Sequence, residues 1–219
     1  MTEFKRTFDV LSFLEENHPN DEALSVKRNG RWEKFSTAEY RENVDNFSLG
    51  LIAKGYNKGD KIATVTNNRP EWNFIDFGMS QIGCVHVGIY PTISEEEYLH
   101  ILSHSESRIL IVSSKELYDK LKPIYDKIDS LEEIYTIDEV EGVANWSEIS
   151  KKGASKDKEL RPTLVKMRDN VSPQDLLTLI YTSGTTGLSK GVMLSHNNVV
   201  SNVKLAHNVV KYLHPNERA

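Results

Sequence analysis

Residues 176–191 read LLTLIYTSGTTGLSKG, and this stretch decides how the rest of the chain is interpreted. Its first six residues are almost entirely apolar, which predicts a buried strand that runs directly into a loop. The loop at residues 181–191 combines three glycines with several hydroxyls and one lysine, Lys190. Glycines let backbone N–H groups turn toward an anion, hydroxyls add donors, and an ammonium supplies charge. The stretch therefore predicts a phosphate-binding loop that suits a triphosphate.

The loop differs from a Walker A loop, in which glycine precedes the lysine and Ser or Thr follows it. Here Ser189 precedes Lys190 and Gly191 follows it, and residues 192–194 predict a short returning strand before any helix. An ordinary P-loop nucleoside triphosphatase is therefore disfavoured. A flexible glycine-rich hairpin that only links two strands is the plain alternative to a ligand-binding loop.

Upstream of the loop, strand-like and helix-like segments alternate from about residue 60 onward. The predicted strands are residues 61–66, 84–90, 108–112 and 133–137, and the predicted helices are residues 70–81, 94–103 and a segment from about 115. Repeated strand–helix units indicate an α/β fold with a largely parallel sheet and helices on both faces.

The first part of the chain, residues 1–56, has a different pattern. It predicts a short amphipathic helix, a hairpin turned at Asn29-Gly30, and a helix that begins at a capping box of Ser36 and Glu39. We therefore divide the chain into this helix, hairpin and helix segment and an α/β subdomain over residues 57–219, which carries the loop.

Two further segments and three side chains carry expectations of their own. The polar and charged residues 150–172 interrupt the alternation and predict an exposed loop, with a basic partner-binding patch as the alternative. Residues 197–212 predict a helix. Trp72 and Tyr90 are expected in the core, because large aromatic side chains mostly serve packing. Cys84 is expected to be inert packing in a strand.

Composition limits the classes of function. The 219 residues carry a net charge of −5, which disfavours a general nucleic-acid binder. A single cysteine allows neither an intrachain disulfide nor a thiolate metal site. The sequence shows no signal peptide and no stretch approaching the ~20 apolar residues of a membrane span. We therefore expect a cytoplasmic protein with at most peripheral membrane contact.

Residues 181–196 resemble the phosphate-loop signature of the adenylate-forming (AMP-binding) superfamily, which includes acyl-CoA synthetases, luciferases and the adenylation domains of peptide synthetases. Residues 68–72 (NRPEW) and 89–92 (IYPT) are similar to its long-chain fatty acyl-CoA synthetase branch. The resemblance covers nearly the whole chain. Many members have proline where this chain has Ser189, and serine makes the loop freer without removing a phosphate donor.

The resemblance implies an enzyme that joins a carboxylate to ATP and then transfers the acyl group to a thiol. The first step gives an acyl-adenylate and pyrophosphate, and the second gives a thioester of coenzyme A and AMP. Fatty acid, ATP and CoA would be the substrates, and Mg²⁺ would bridge the phosphates. The alternatives are a non-catalytic nucleotide- or CoA-binding module and an enzyme that adenylates aryl or amino acids.

The resemblance also implies roles for individual residues. Thr182 and Lys190 would be catalytic, and Thr182 is also the candidate for placing magnesium. His196 would help to position nucleotide or acyl substrate, with a helix cap or a local hydrogen bond as the alternative. The implied nucleotide-binding set is Tyr181, Thr182, Ser183, Gly184, Thr185, Thr186, Gly187, Lys190, Gly191 and His196.

Enzymes of this family are much longer than this chain. Their acidic magnesium motif, ribose-binding aspartate, hinge and small C-terminal domain with its lysine have no assignable counterpart here. We therefore expect a truncated N-terminal part that is inactive alone and whose partner is the remainder of the parent chain. Apolar surface should be exposed where that remainder docks, and the chain could self-associate through it.

Overall fold

The computed structural model describes residues 4–182 and 187–209, with side chains up to residue 206. The elements of this part, in chain order, are α1 (Asp9–Asn17), β1 (Leu24–Arg28), β2 (Arg31–Phe35), α2 (Thr37–Ala53), β3 (Lys61–Val65), α3 (Pro70–Ser80), β4 (Val85–Ile89), α4 (Glu95–Ser105), β5 (Ile109–Val112), α5 (Lys115–Tyr125), β6 (Glu133–Thr136), α6 (Ser147–Ser155), α7 (Asp157–Asp169), β7 (Leu176–Thr182), β8 (Lys190–Ser195) and α8 (His196–Val209).

One six-stranded sheet organises the described part of the chain, in the order β6-β5-β3-β4-β7-β8. Its first five strands are parallel, and β8 pairs with β7 in the antiparallel sense. The hairpin β1-β2 forms a separate two-stranded sheet. The predicted α/β fold with a largely parallel sheet is confirmed.

The central strands are buried on both faces, because their side chains alternate between two hydrophobic clusters. In β5, Ile109 and Ile111 join the cluster under α2 and α3, here called the α2–α3 face. Leu110 and Val112 join the cluster under α4 and α5, here called the α4–α5 face. The nearly all-apolar sequence of β5 follows directly from this double burial.

Local sequence signals placed several element boundaries correctly. The side chain of Ser36 accepts the backbone N–H of Glu39 while the Glu39 carboxylate accepts the backbone N–H of Ser36, which is the predicted capping box. In the first hairpin, Asn29 and Gly30 have φ of 51° and 78°. Both values lie in the left-handed region that a tight two-residue turn requires.

The N-terminal segment packs directly on the α/β part. Leu11 of α1 and Val44 of α2 are fully buried and belong to the same cluster as Ile62 of β3. The division of the chain at residues 56 and 57 stays a prediction. No helix in the part of the chain that the structure describes is long and apolar enough to cross a membrane.

The expectation that residues 150–172 form an exposed loop is wrong, because they contain most of α6 and all of α7. Helix α6 packs closely on α2: a Cβ at Gly153 would lie 1.9 Å from the backbone oxygen of Asn46. Helix α7 buries Leu164 completely. Most of the charged residues here are exposed and conceal a narrow apolar stripe, so composition alone is misleading.

The three expectations for core side chains have different outcomes. Cys84 is buried, and burial raises the pKa of its thiol, which fits an inert packing role. Trp72 is half-buried, with its ring centroid 5.3 Å from that of His86. The expectation for Tyr90 is wrong, since 75% of it is exposed. It directly follows the last residue of β4 and therefore lies at the carboxyl end of that strand.

Candidate active site

The strands β7 and β8 form the two stems of the glycine-rich loop. Thr182 pairs with Lys190, and Tyr181 pairs with Gly191. The strand β8 begins at Lys190, two residues earlier than the sequence predicts. Four of the predicted site residues, Ser183, Gly184, Thr185 and Thr186, lie outside the described residues. The stems therefore fix the two ends of the loop and place its lysine directly opposite its first threonine.

Thr182 and Lys190 project from the same face of the sheet, because residues directly opposite each other in an antiparallel pair share a face. This is the α2–α3 face, since Leu179 and Tyr181 of the same strand pack toward the α4–α5 face. Both Thr182 and Lys190 are exposed. An exposed ammonium and a hydroxyl, about 5 Å apart at Cβ by this register, form a site that can bind an anion.

Tyr181 closes the opposite side of the stems. A Cβ at Gly191 would lie 3.2 Å from the Tyr181 ring, so the glycine lets the ring lie against the backbone of β8. The Tyr181 hydroxyl lies 2.7 Å from Nδ1 of His104 in α4. Burial raises the pKa of the Tyr181 phenol, so the side chain stays neutral. Tyr181 is thus a neutral side chain on the face of the stems opposite Thr182 and Lys190.

A second histidine contacts the residue that precedes the other stem. Nε2 of His100 donates a hydrogen bond of 2.8 Å to the backbone oxygen of Ser189, the residue before Lys190. Sequence reasoning missed both His100 and His104. Their spacing of four residues, which places them on one helix face, was the only available signal, and it does not say what the face contacts.

Gly187 explains one glycine of the loop. Its φ is 131°, a value in the region that residues with a Cβ rarely adopt. A Cβ there would meet no atom within 4 Å, so conformation and not space requires the glycine. A side chain at this position would strain the loop where it turns back toward Lys190.

His196 lies apart from the loop. It follows the far end of β8, six residues beyond Lys190, which corresponds to roughly 20 Å along a strand. Only 1% of His196 is exposed, and its Nδ1 accepts the backbone N–H of Thr7 at 3.3 Å. Burial, assisted by the nearby charge of Arg6, lowers the pKa of His196 to about 4. The structure therefore places a neutral histidine at the start of α8, in contact with the chain before α1.

Magnesium has no assembled ligand set in the part of the chain that the structure describes. No group of three or more His, Cys, Asp or Glu side chains there could hold a metal ion. Thr182 offers one hydroxyl, and a single neutral oxygen does not make a magnesium site. We therefore assign no step of the chemistry to a magnesium ion held by these residues.

Comparison with known proteins identifies the family. The model of the family described as "AMP-binding enzyme" matches residues 14–218. The long-chain-fatty-acid–CoA ligase heimdall of Drosophila melanogaster is 30% identical over 186 residues, which cover 81% of this chain and 27% of the relative. Fatty acyl-CoA synthetase A of Dictyostelium discoideum is 33% identical over 182 residues, which cover 79% of this chain and 26% of the relative.

Solved structures show the same fold. A long-chain-fatty-acid–CoA ligase from Archaeoglobus fulgidus superposes with a TM-score of 0.75 at 23% identity, covering 97% of this chain and 41% of that structure. A putative long-chain-fatty-acid CoA ligase from Rhodopseudomonas palustris gives 0.76 at 15% identity, covering 96% of this chain and 49% of that structure.

The chain belongs to the AMP-binding enzyme family, whose members form adenylates, and its relatives described above are a long-chain-fatty-acid–CoA ligase and a fatty acyl-CoA synthetase. It spans only about a quarter of the length of those relatives.

Proposed function

We propose that this chain is part of a long-chain fatty acid–CoA ligase that uses ATP and forms AMP. The observation that carries the proposal is the pairing of Thr182 with Lys190 at the open end of β7 in a member of the AMP-binding family. The names of the relatives support the fatty acid as acyl substrate and coenzyme A as acceptor.

The reaction has two balanced steps. A fatty acid carboxylate oxygen attacks the α-phosphorus of ATP, the bond to the β-phosphate oxygen breaks, and pyrophosphate leaves with the electron pair. The CoA thiol then loses its proton and attacks the acyl carbon, and AMP leaves. Both reacting groups of the first step are anionic, so positioning and charge stabilisation dominate its barrier.

Lys190 and Thr182 would act on the triphosphate. The Lys190 ammonium offsets the negative charge that grows on the β- and γ-phosphates as pyrophosphate leaves. The Thr182 hydroxyl donates to a phosphate oxygen and holds it beside the ammonium. Magnesium bound to the nucleotide would add positive charge, and no step is assigned to it in this chain.

The position of the loop in the sheet also supports the proposal. In open parallel sheets, ligands bind outside the carboxyl ends of the strands. The strands β4 and β7 are neighbours, so Tyr90 after β4 and Thr182 at the end of β7 lie together at the edge formed by these carboxyl ends. Both residues are exposed there, which leaves the edge open to substrates.

The test is ATP–pyrophosphate exchange dependent on added carboxylic acid, measured on the complete protein that contains this chain. We expect long-chain fatty acids to support exchange, and Lys190→Ala to lower its rate by about 100-fold, since a group that stabilises developing charge is lost. Lys158→Ala is the matched control, because it removes an exposed lysine of α7.

Four results would contradict parts of the proposal or of the expectations behind it. Unchanged kinetics for Lys190→Ala would refute the role of that residue. Exchange with aromatic or amino acids in place of fatty acids would change the acyl substrate, and tight ATP binding without exchange would indicate a non-catalytic module. Robust exchange by residues 1–219 alone would refute the expectation that this part is inactive alone.

A further inference from the structure

Two histidines of α4 contact the two ends of the glycine-rich loop. His100 Nε2 donates to the Ser189 backbone oxygen at 2.8 Å, and His104 Nδ1 lies 2.7 Å from the Tyr181 hydroxyl. The Tyr181 ring also meets both imidazoles edge to face, with centroids 6.2 Å from His100 and 5.8 Å from His104. The entry and the exit of the loop are therefore bound to one face of one helix.

The helix that carries these histidines is itself firmly held. A capping box of Ser94 and Glu97 fixes its first turn. Tyr98 and Leu102 are fully buried against the sheet, and the Tyr98 hydroxyl donates to the backbone oxygen of Tyr90 at 3.0 Å. Helix α4 is therefore a rigid reference to which the loop stems are attached.

We propose that His100 and His104 are positioning residues for the phosphate-binding loop, a proposal that rests on the proposed function of that loop. His100 acts through Ser189 on the adjacent Lys190, and His104 acts through Tyr181 on the adjacent Thr182. They lie on the α4–α5 face, whereas Lys190 and Thr182 project from the other face. The histidines therefore orient the loop from behind without occupying the site where phosphate binds.

The chemistry of the two contacts distinguishes their replacements. A backbone oxygen only accepts, so His100 must carry a proton on Nε2. Glutamine can place an N–H near that position, whereas alanine cannot. The His104 contact involves Nδ1 and a hydroxyl that can donate or accept, and asparagine places an amide near that position. His100→Gln and His104→Asn are therefore conservative variants, and both alanine variants remove the contacts.

The first experiment needs no nucleotide. Amide hydrogen exchange is measured on the 219-residue chain for β7 and β8. We expect His100→Ala and His104→Ala each to speed exchange of the stem amides near Thr182 and Lys190 by roughly fivefold, the effect of one lost hydrogen bond. Ser103→Ala, on the same helix, should leave that exchange unchanged. Equal exchange in the histidine variants and the control would overturn the proposal.

The second experiment uses the complete protein and separates positioning from general stability. We expect each alanine variant to raise the KM for ATP by about fivefold, with the KM for fatty acid unchanged, because only the phosphate-binding groups are displaced. His100→Gln and His104→Asn should restore the KM for ATP. An unchanged KM for ATP and kcat in both alanine variants, or an equal defect in His100→Gln and His104→Asn, would indicate a merely structural role and contradict the proposal.

The two experiments also separate this inference from the function on which it rests. A wild-type complete protein without any ATP–pyrophosphate exchange would refute the proposed function. The exchange rates of the stem amides would still decide whether the histidines hold the loop. Faster stem exchange in the alanine variants supports that attachment, and unchanged stem exchange refutes it.

Discussion

At the scale of single residues, His196 has a measurable consequence for stability. Burial lowers its pKa to about 4, whereas an unfolded histidine titrates near 6.5. The unfolded state therefore binds a proton between these two values that the folded state does not bind. Stability is unaffected above about pH 6.5 and falls as the pH drops toward 4. The full effect is on the order of 3 kcal/mol.

His196→Asn tests this prediction, because the asparagine oxygen can accept the Thr7 N–H that Nδ1 accepts now. Urea unfolding is measured at several pH values between about 7.5 and 4.5. We expect the variant to be less stable at neutral pH but to lose less stability on acidification than the wild type. His18→Asn, at an exposed histidine, is the control variant. An unaltered pH dependence for His196→Asn would disprove the assignment.

Residue patterns predicted the strands that form the loop stems but not the histidines of α4 that contact the two ends of the loop. The order of glycines, hydroxyls and Lys190 carries local information, and the apolar residues before it predict the strand. The contacts of His100 and His104 join residues about 80 positions apart, and they exist only because α4 packs beside β7. No local pattern encodes that proximity, so sequence reasoning could not have found this part of the site.

At the scale of elements, the docking of α7 on α2 depends on one buried carboxylate. Asp45 of α2 accepts hydrogen bonds from Arg161 and Arg168 of α7 and from Gln81. Its side chain is 8% exposed. We expect Asp45→Asn to lower the free energy of unfolding by about 3 kcal/mol, because it leaves buried guanidinium charge without its partner. Urea unfolding at neutral pH measures this loss.

Asp157→Asn is the control variant for the effect of Asp45→Asn on the docking of α7. Asp157 also bonds Arg161, but its side chain is 42% exposed, so water can replace the interaction. It lies in the first turn of α7, where a negative charge is favourable, and its loss should cost less than about 1 kcal/mol. Equal losses for the two variants would show that burial of Asp45 does not govern the docking of α7.

The contrast between α7 and the other helices shows what a sequence reveals about elements. The sequence of α2 predicts a helix through its capping box and its broad apolar stripe. In α7 the only fully buried residue is Leu164, with Leu160 and Met167 partly buried beside it. Pro162 inside the helix also argues against a helical prediction. Contacts with α2, including the Asp45 ion pairs, override that weak local signal.

At the scale of the whole molecule, the sheet edge formed by β7 and β8 leaves apolar side chains uncovered. Ile180 and Val192 pair across the two strands and are 42% and 43% exposed. Met193 of β8 and Val203 and Leu205 of α8 are exposed by more than 60%. In the described sheet β8 is also an edge strand, with backbone groups available for pairing. Apolar side chains are therefore exposed on β7, β8 and α8, and what covers them stays a prediction.

This surface leads to a prediction about association of the 219-residue chain. An exposed apolar patch on an edge strand favours contact between copies, because burying it removes apolar area from water. We expect concentration-dependent sedimentation, and we expect Val192→Thr to weaken association by about fivefold, the equivalent of roughly 1 kcal/mol. Val165→Thr is closely matched, since Val165 of α7 is 45% exposed but lies outside this patch.

The comparison of these two valine variants distinguishes specific association through the β7–β8 edge from nonspecific association through exposed apolar area. If copies meet through the β7–β8 edge, Val192→Thr weakens association and Val165→Thr does not. If both variants weaken it equally, the contact depends on total exposed apolar area and not on this edge. A wild-type chain that sediments as a monomer at every concentration would refute self-association. The edge would then be uncovered yet unable to pair, which would favour a covering partner different from this chain.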